Sequence, residues 1–205
     1  MVVDYLTHYY RRGTDPFRTL SALADRAALQ LMAALYVEGS VIWERFKDPA
    51  QYLQERRQTE QWLRQAFLAK GGNPQETHPI YMVLGRSQWV LRMADAATLA
   101  TTEEIRVPLS VLREDEVSFT YPDSMISHWL GMDRPPDYYQ PDFHGQVFTL
   151  SEIRSLVAMK GLPDEGWETN LPDFMAHYIE AQVWNRQPLL AYKQYIQSIK
   201  NGGLE

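Results

Sequence analysis

Tyr178-Ile179-Glu180-Ala181-Gln182-Val183-Trp184 is the stretch on which the fold class turns. Ile179, Ala181 and Val183 alternate with larger or polar side chains, the period-2 pattern of a strand with one apolar face. Glu180 falls on the other face, beside Gln182. On the wall of a cleft such a carboxylate orients a hydroxyl or stabilises positive charge; facing water it is an ordinary surface acid.

Working outward, four more runs read as strands. Pro79-Ile80-Tyr81-Met82-Val83-Leu84 is short, apolar and closed by Gly85. Ile105-Arg106-Val107 alternates, and Pro108 keeps it from a central position in a sheet. Val117 to Tyr121 alternates again, and Gln146-Val147-Phe148 is extended. The helices between them follow no regular strand-helix-strand rhythm. An α+β fold is therefore predicted, one compact domain over residues 1–205 with a mixed or mainly antiparallel sheet flanked by helices.

Asp48-Pro49 opens the clearest helix, a capping oxygen followed by a proline whose missing N–H costs nothing at that position. It is predicted to reach about Lys70, with Leu53, Glu60, Leu63 and Phe67 on one line and Gly71-Gly72 as the stop. The charges in Gln54-Glu55-Arg56-Arg57 are assigned to a solvated face. An earlier helix from Asp25 turns Ala28, Leu31, Met32, Leu35 and Tyr36 inward. Ser87 caps a short helix to Met93, and Ala94–Glu104 reads as a connection. Pro122-Asp123-Ser124 starts a helix carrying Ile126, Trp129 and Leu130. Thr149-Leu150-Ser151-Glu152 is a capping box for a helix ending near Lys160-Gly161. Asp133–Gly145 and Pro163–Pro172 read as loops, and Leu189–Ile199 as a closing helix before a frayed tail at Asn201.

Composition narrows the function classes. Cysteine is absent from the 205 residues, which removes disulfides, thiolate nucleophiles and cysteine-held metals. An excess of 26 acidic over 20 basic residues disfavours a broad nucleic-acid surface. No apolar run approaches the roughly 20 residues of a membrane span, and no secretory signal is visible at the N-terminus. A cytoplasmic protein is the expectation. The five histidines show no i, i+3 or i, i+4 pair of the kind a helical metal site uses, so no metal site is assigned.

Two segments carry candidate binding chemistry. In His8-Tyr9-Tyr10-Arg11-Arg12-Gly13-Thr14, with Arg18 close behind, guanidinium groups can fork onto phosphate or carboxylate oxygens while a glycine lets backbone N–H groups approach. His8, Tyr10, Arg11, Arg12, Thr14 and Arg18 are the candidate ligand-binding residues of this segment; the structural alternative is a surface turn whose arginines pair with acids. The second segment, the proline-rich loop 133–145, places Tyr139 and His144 at a cleft edge. His144, titrating near neutrality, is its candidate proton carrier, against a role as a hydrogen-bonded structural histidine. Tyr121 joins the candidate binding residues, and Glu180 the catalytic ones.

The segments H-Y-Y-R-R-G-T, S-F-T-Y-P-D-S-M and Y-I-E-A-Q-V-W together resemble an uncharacterised bacterial family with cyanobacterial members, a resemblance that implies no activity. Glu180-Ala-Gln-Val-Trp-Asn-Arg-Gln-Pro-Leu189 is similar to the glutamate-bearing strand and following turn of DNA-targeting ADP-ribosyltransferase toxins. That second resemblance implies NAD as cofactor, held by His8 or Arg12, stacked on Tyr81 or Tyr121, and served by Glu180. Three functional expectations follow: a small anionic or nucleotide-like ligand bound between the N-terminal segment and loop 133–145, an NAD-using transferase, or a homodimer anchored by exposed Trp43, Trp62 or Trp184.

Overall fold

The computed structural model describes residues 3–163, 167, 171–172 and 174–202. Five strands join in one sheet: β1 (Tyr5–Arg11), β2 (Ile80–Leu84), β3 (Thr102–Pro108), β4 (Val117–Thr120) and β5 (Glu180–Val183). Their order is β3-β1-β2-β5-β4, and every neighbouring pair is antiparallel. The fold is α+β, as the alternating runs indicate. Among the described residues no helix is long and apolar enough to cross a membrane.

Among the described residues seven α-helices surround the sheet: α1 (Asp25–Leu35), α2 (Pro49–Ala69), α3 (Gln88–Met93), α4 (Ala96–Thr101), α5 (Ser124–Asp133), α6 (Leu150–Lys160) and α7 (Gln187–Gly202). Local signals set their ends. Asp48 accepts from Gln51 N at the start of α2, Ser87 from Val90 N at α3, and Thr149 and Glu152 close a full capping box on α6. Each cap gives a partner to helix N–H groups that the helix cannot pair itself.

Register gives the sheet two unlike faces. Met82 lies opposite Ala181 and Leu6 opposite Leu84, so Leu6, Ile105, Val107, Ile80, Met82, Leu84, Ala181, Val183, Val117 and Phe119 share one face. They form the main core with Leu150 and Ile153 of α6 and Leu189 of α7. The other face is polar: Val83 opposes Glu180, Tyr81 opposes Gln182, and Ser118 and Thr120 continue the row on β4. Helix α2 reaches it through Glu60, Leu63 and Phe67 and α5 through Ser124, with α1 packed on α2.

Several sequence expectations are corrected here. β1 was not anticipated, because the histidine and arginine content of residues 8–12 hid the alternation that starts at Tyr5. The Ala94–Glu104 connection contains α4 and the beginning of β3. Gln146–Phe148 makes a single bridge, Phe148 to Phe119, in place of a strand. Leu31 is exposed rather than inward, and Arg56 is half-buried rather than solvated. Trp184 is fully buried, and Trp62 stacks on His128, so neither is an exposed anchor. Most of the loop predicted over 163–172, and the tail beyond residue 202, lie outside the described residues.

Candidate functional site

A cavity of about 190 Å³ opens on the polar face of the sheet. Its floor is Thr7 and Tyr9 of β1, Tyr81 and Val83 of β2 and Glu180 of β5, all brought to one side by the period-2 pleat. Tyr178, Trp89 of α3, and Ile42 and Arg45 from the segment before α2 complete the wall. Tyr9 is fixed by accepting from Ser87 N at 3.1 Å. Trp89 and Tyr178 stand with ring centroids 5.8 Å apart.

Glu180 is nearly buried. Its Oε2 accepts from the backbone N–H of Ser124 at 2.9 Å and from Gln182 Nε2 at 3.3 Å. Asp123 caps α5 through Met125 N and Ile126 N, which delivers the first turn of that helix, and a second carboxyl, to Glu180. Burial, and then the charge of Asp123, push the Glu180 carboxyl up to about 7, against the pull of Ser124 and Arg56. Asp123 is also raised, by burial first, with the N–H groups of its cap and the Arg45 and Arg56 charges opposing. Two like charges this close do not ionise independently. Glu180 therefore exchanges protons near neutrality, inside a cavity.

A third carboxyl lies one hydroxyl behind the wall. Glu60, on α2, is 1% exposed. Its Oε1 accepts from Ser21 Oγ at 2.7 Å and Tyr81 OH at 3.0 Å, and its Oε2 lies 2.6 Å from His78 Nδ1. Arg56 Nε lies 3.4 Å from Oε1, and the guanidinium stacks over the Tyr81 ring with its carbon 4.2 Å from the centroid. Burial raises the Tyr81 phenol well above its usual value; Arg56 opposes this, and Glu60 and Glu180 add to it. Arg45 is held in its charged form at the rim by the oxygens of Tyr52, Tyr178 and Asp123, which outweigh its desolvation.

Of the expected site residues, only Glu180 lines this cavity, together with Tyr81 from the ADP-ribosyltransferase comparison. His8 points to the opposite face and is buried. Its Nε2 accepts from Phe17 N at 2.9 Å, so Nδ1 carries the proton and donates to the Tyr81 carbonyl at 3.0 Å. Burial pulls its pKa down to about 4, with the Tyr81 carbonyl opposing. Tyr10 stacks on His8 with centroids 6.0 Å apart. Arg11, Arg12, Thr14 and Arg18 are exposed; Arg12 pairs with Glu103, and Thr14 donates to the Arg11 carbonyl.

Tyr121 is fully buried in the main core, and His144 lies against it, 1% exposed, accepting from Gln140 N through Nδ1. Tyr139 lines a second, larger recess of about 560 Å³ with Phe143, Lys160 and Trp167. β2 and β5 separate β1 from β4, beside which loop 133–145 lies. Three interstrand steps of about 4.8 Å keep the two expected segments apart, and neither recess is lined by both. Sequence reasoning missed Glu60, Arg45 and Tyr178 as site residues and read Asp123 as turn chemistry at the start of a helix rather than as a carboxyl of the site. Among the described residues no group of three or more His, Asp or Glu side chains is placed to hold a metal ion.

Comparison of the chain with models of protein families, with curated proteins and with solved structures finds no match to any of them.

Proposed function

We propose that the protein binds a nucleotide-like molecule, with a planar ring in the Glu180 cavity and an anionic group on Arg45 at its rim. The observation that carries this reading is Glu180 itself: a carboxyl of pKa about 7 on the wall of a cavity whose other sides are the rings of Tyr9, Tyr81, Trp89 and Tyr178. At about 190 Å³ the space is smaller than the roughly 300–1,000 Å³ that encloses a whole drug-sized ligand. It admits a ring and leaves the rest of the molecule outside, next to Arg45. Glu180 Oε2 is engaged by Ser124 and Gln182, which assigns Oε1 to the ligand. A cytoplasmic location fits this reading, since nucleotides are made there.

Calorimetric titration of AMP and NAD into wild-type protein and into Glu180→Gln and Arg45→Ala tests it. Binding by the wild type that changes between pH 6 and pH 8, loses that pH dependence in Glu180→Gln and weakens about tenfold in Arg45→Ala is the expected result. Equal binding by all three proteins places the ligand elsewhere, and absence of binding removes the reading.

A second reading, ADP-ribosyl transfer from NAD, is favoured by one feature: Tyr81 and Glu180 face the same cavity from adjacent strands. The first residue of that set has no counterpart there, since His8 is turned away and Arg12 is exposed. Release of nicotinamide from NAD by wild type and not by Glu180→Gln supports it; NAD binding without turnover leaves the binding reading alone.

A further inference from the structure

Tyr81 shares the cavity wall with Glu180 and is hydrogen-bonded to a further carboxyl behind it. Glu60 takes its proton in a 3.0 Å hydrogen bond, and Glu180, two residue pairs along the neighbouring strand, is close enough for its charge to act on the phenol. Glu60 does not itself line the cavity. Ser21 and Tyr81 both donate to its Oε1 and the Arg56 guanidinium lies beside that oxygen, so Oε1 is an acceptor and has no proton to return to Tyr81. Arg56, stacked over the Tyr81 ring and hydrogen-bonded to Ser21 and Tyr52, keeps the ring from turning. With its own proton committed backward, the Tyr81 oxygen can only accept from anything inside the cavity.

Resting on the nucleotide reading above, we infer that Glu60 is a specificity-determining residue: by fixing Tyr81 as an acceptor beside Glu180, it selects a ring bearing an –NH2 group over one bearing an oxygen there. An exocyclic amine has two N–H bonds, one for Tyr81 Oη and one for Glu180 Oε1. A ring oxygen in the same place would face two acceptors with no proton between them, and a polar contact left unmade on binding is costly. Glu60 acts through Tyr81 and touches no ligand, which makes it a positioning residue.

AMP and IMP differ at that position of the ring and share sugar and phosphate, so their affinity ratio reads the acceptor pair and cancels the Arg45 contact. Titration calorimetry at pH 8, where Glu180 is mainly ionised, is expected to show wild type binding AMP at least about tenfold more tightly than IMP. In Glu60→Leu no acceptor is left behind Tyr81, the phenol proton is free for the cavity, and the ratio comes to within about threefold of one. Tyr81→Phe keeps the ring under Arg56 and removes only the hydroxyl; it lowers the ratio too, and serves where the Glu60 variant fails to fold. Equal affinity of wild type for AMP and IMP, or a ratio unchanged in Tyr81→Phe, overturns the inference and leaves the nucleotide reading intact. No binding of either compound by wild type overturns both.

Discussion

Glu180 shows how a single position acquires chemistry from its surroundings. In water a glutamate is ionised at neutral pH; here burial and Asp123 hold the carboxyl at about 7. The folded-state value lies above the unfolded one, so the native protein keeps a proton that the unfolded chain releases. Stability is then lost as pH rises from about 4.5 to 7. Glu180→Gln mimics the protonated form and should be more stable than wild type at pH 8 by ~1–3 kcal/mol, with little difference at pH 4.5, in urea unfolding followed by circular dichroism. His8 works in the opposite sense. Its folded pKa of about 4 lies below the unfolded 6.5, so the stability of its neutral form is complete above 6.5 and is lost as pH falls toward 4. His8→Ala leaves Phe17 N–H without its acceptor, at a residue whose φ is 58°, and should lower unfolding free energy by ~2–4 kcal/mol at pH 7 while flattening the acid limb of the stability profile. Glu180 was visible in sequence because alternation singled it out. Glu60 was not, since an acid among the charges of a helix looks solvated; its one signal was its place on the line of Leu53, Leu63 and Phe67.

Caps and close approaches decide the helices. The signals at Asp48-Pro49, Ser87, Asp123 and Thr149 each placed a helix start correctly, because a cap is a local hydrogen bond within a few residues. α5 also depends on something that no local rule shows. Gly131, inside that helix, lies so close to Gly145 that a Cβ on either would come within 2.5 Å of the other's Cα. In an exposed helix, glycine to alanine is stabilising by ~1 kcal/mol; Gly131→Ala should reverse that sign and destabilise by ~2 kcal/mol or more, lowering the thermal midpoint by several degrees. Loop 133–145, which Gly145 closes, would be displaced with it, and the fluorescence of its surroundings at Trp167 would shift. The loop itself was legible from its prolines; its contact with α5 was not.

At the scale of the molecule, one sheet carries an apolar face toward α6 and α7 and a polar face toward α2 and α5. Trp184 stitches the second layer down: it packs with Leu63 and Phe67 of α2 and donates to Ser118 Oγ of β4 at 2.9 Å. Trp184→Ala should cost ~3–5 kcal/mol, a large part of the 5–15 kcal/mol available to a domain, and loosen the polar face before the apolar one. Hydrogen exchange read by mass spectrometry should show this as faster exchange over Pro49–Ala69 with Ile80–Leu84 least affected. In wild type the central strands β2 and β5 should exchange slowest and the edge strands β3 and β4 faster, since each edge leaves one side of its backbone unpaired.

The types of β2, β4 and β5 and of the longer helices, the capping positions, the edge placement implied by Pro108 and the strand position of Glu180 were determined by the sequence alone, because each depends on side-chain period or on bonds that span a handful of residues. The order of the strands was decided only in three dimensions. It set the strand of the N-terminal arginines three steps from β4, turned His8 away from the cavity, and put Tyr81 and Glu180 on one cavity wall with Glu60 bonded to the first and Asp123 beside the second. Those interactions join residues 21 to 99 positions apart, and their pairing follows from how whole faces pack, which no local pattern encodes.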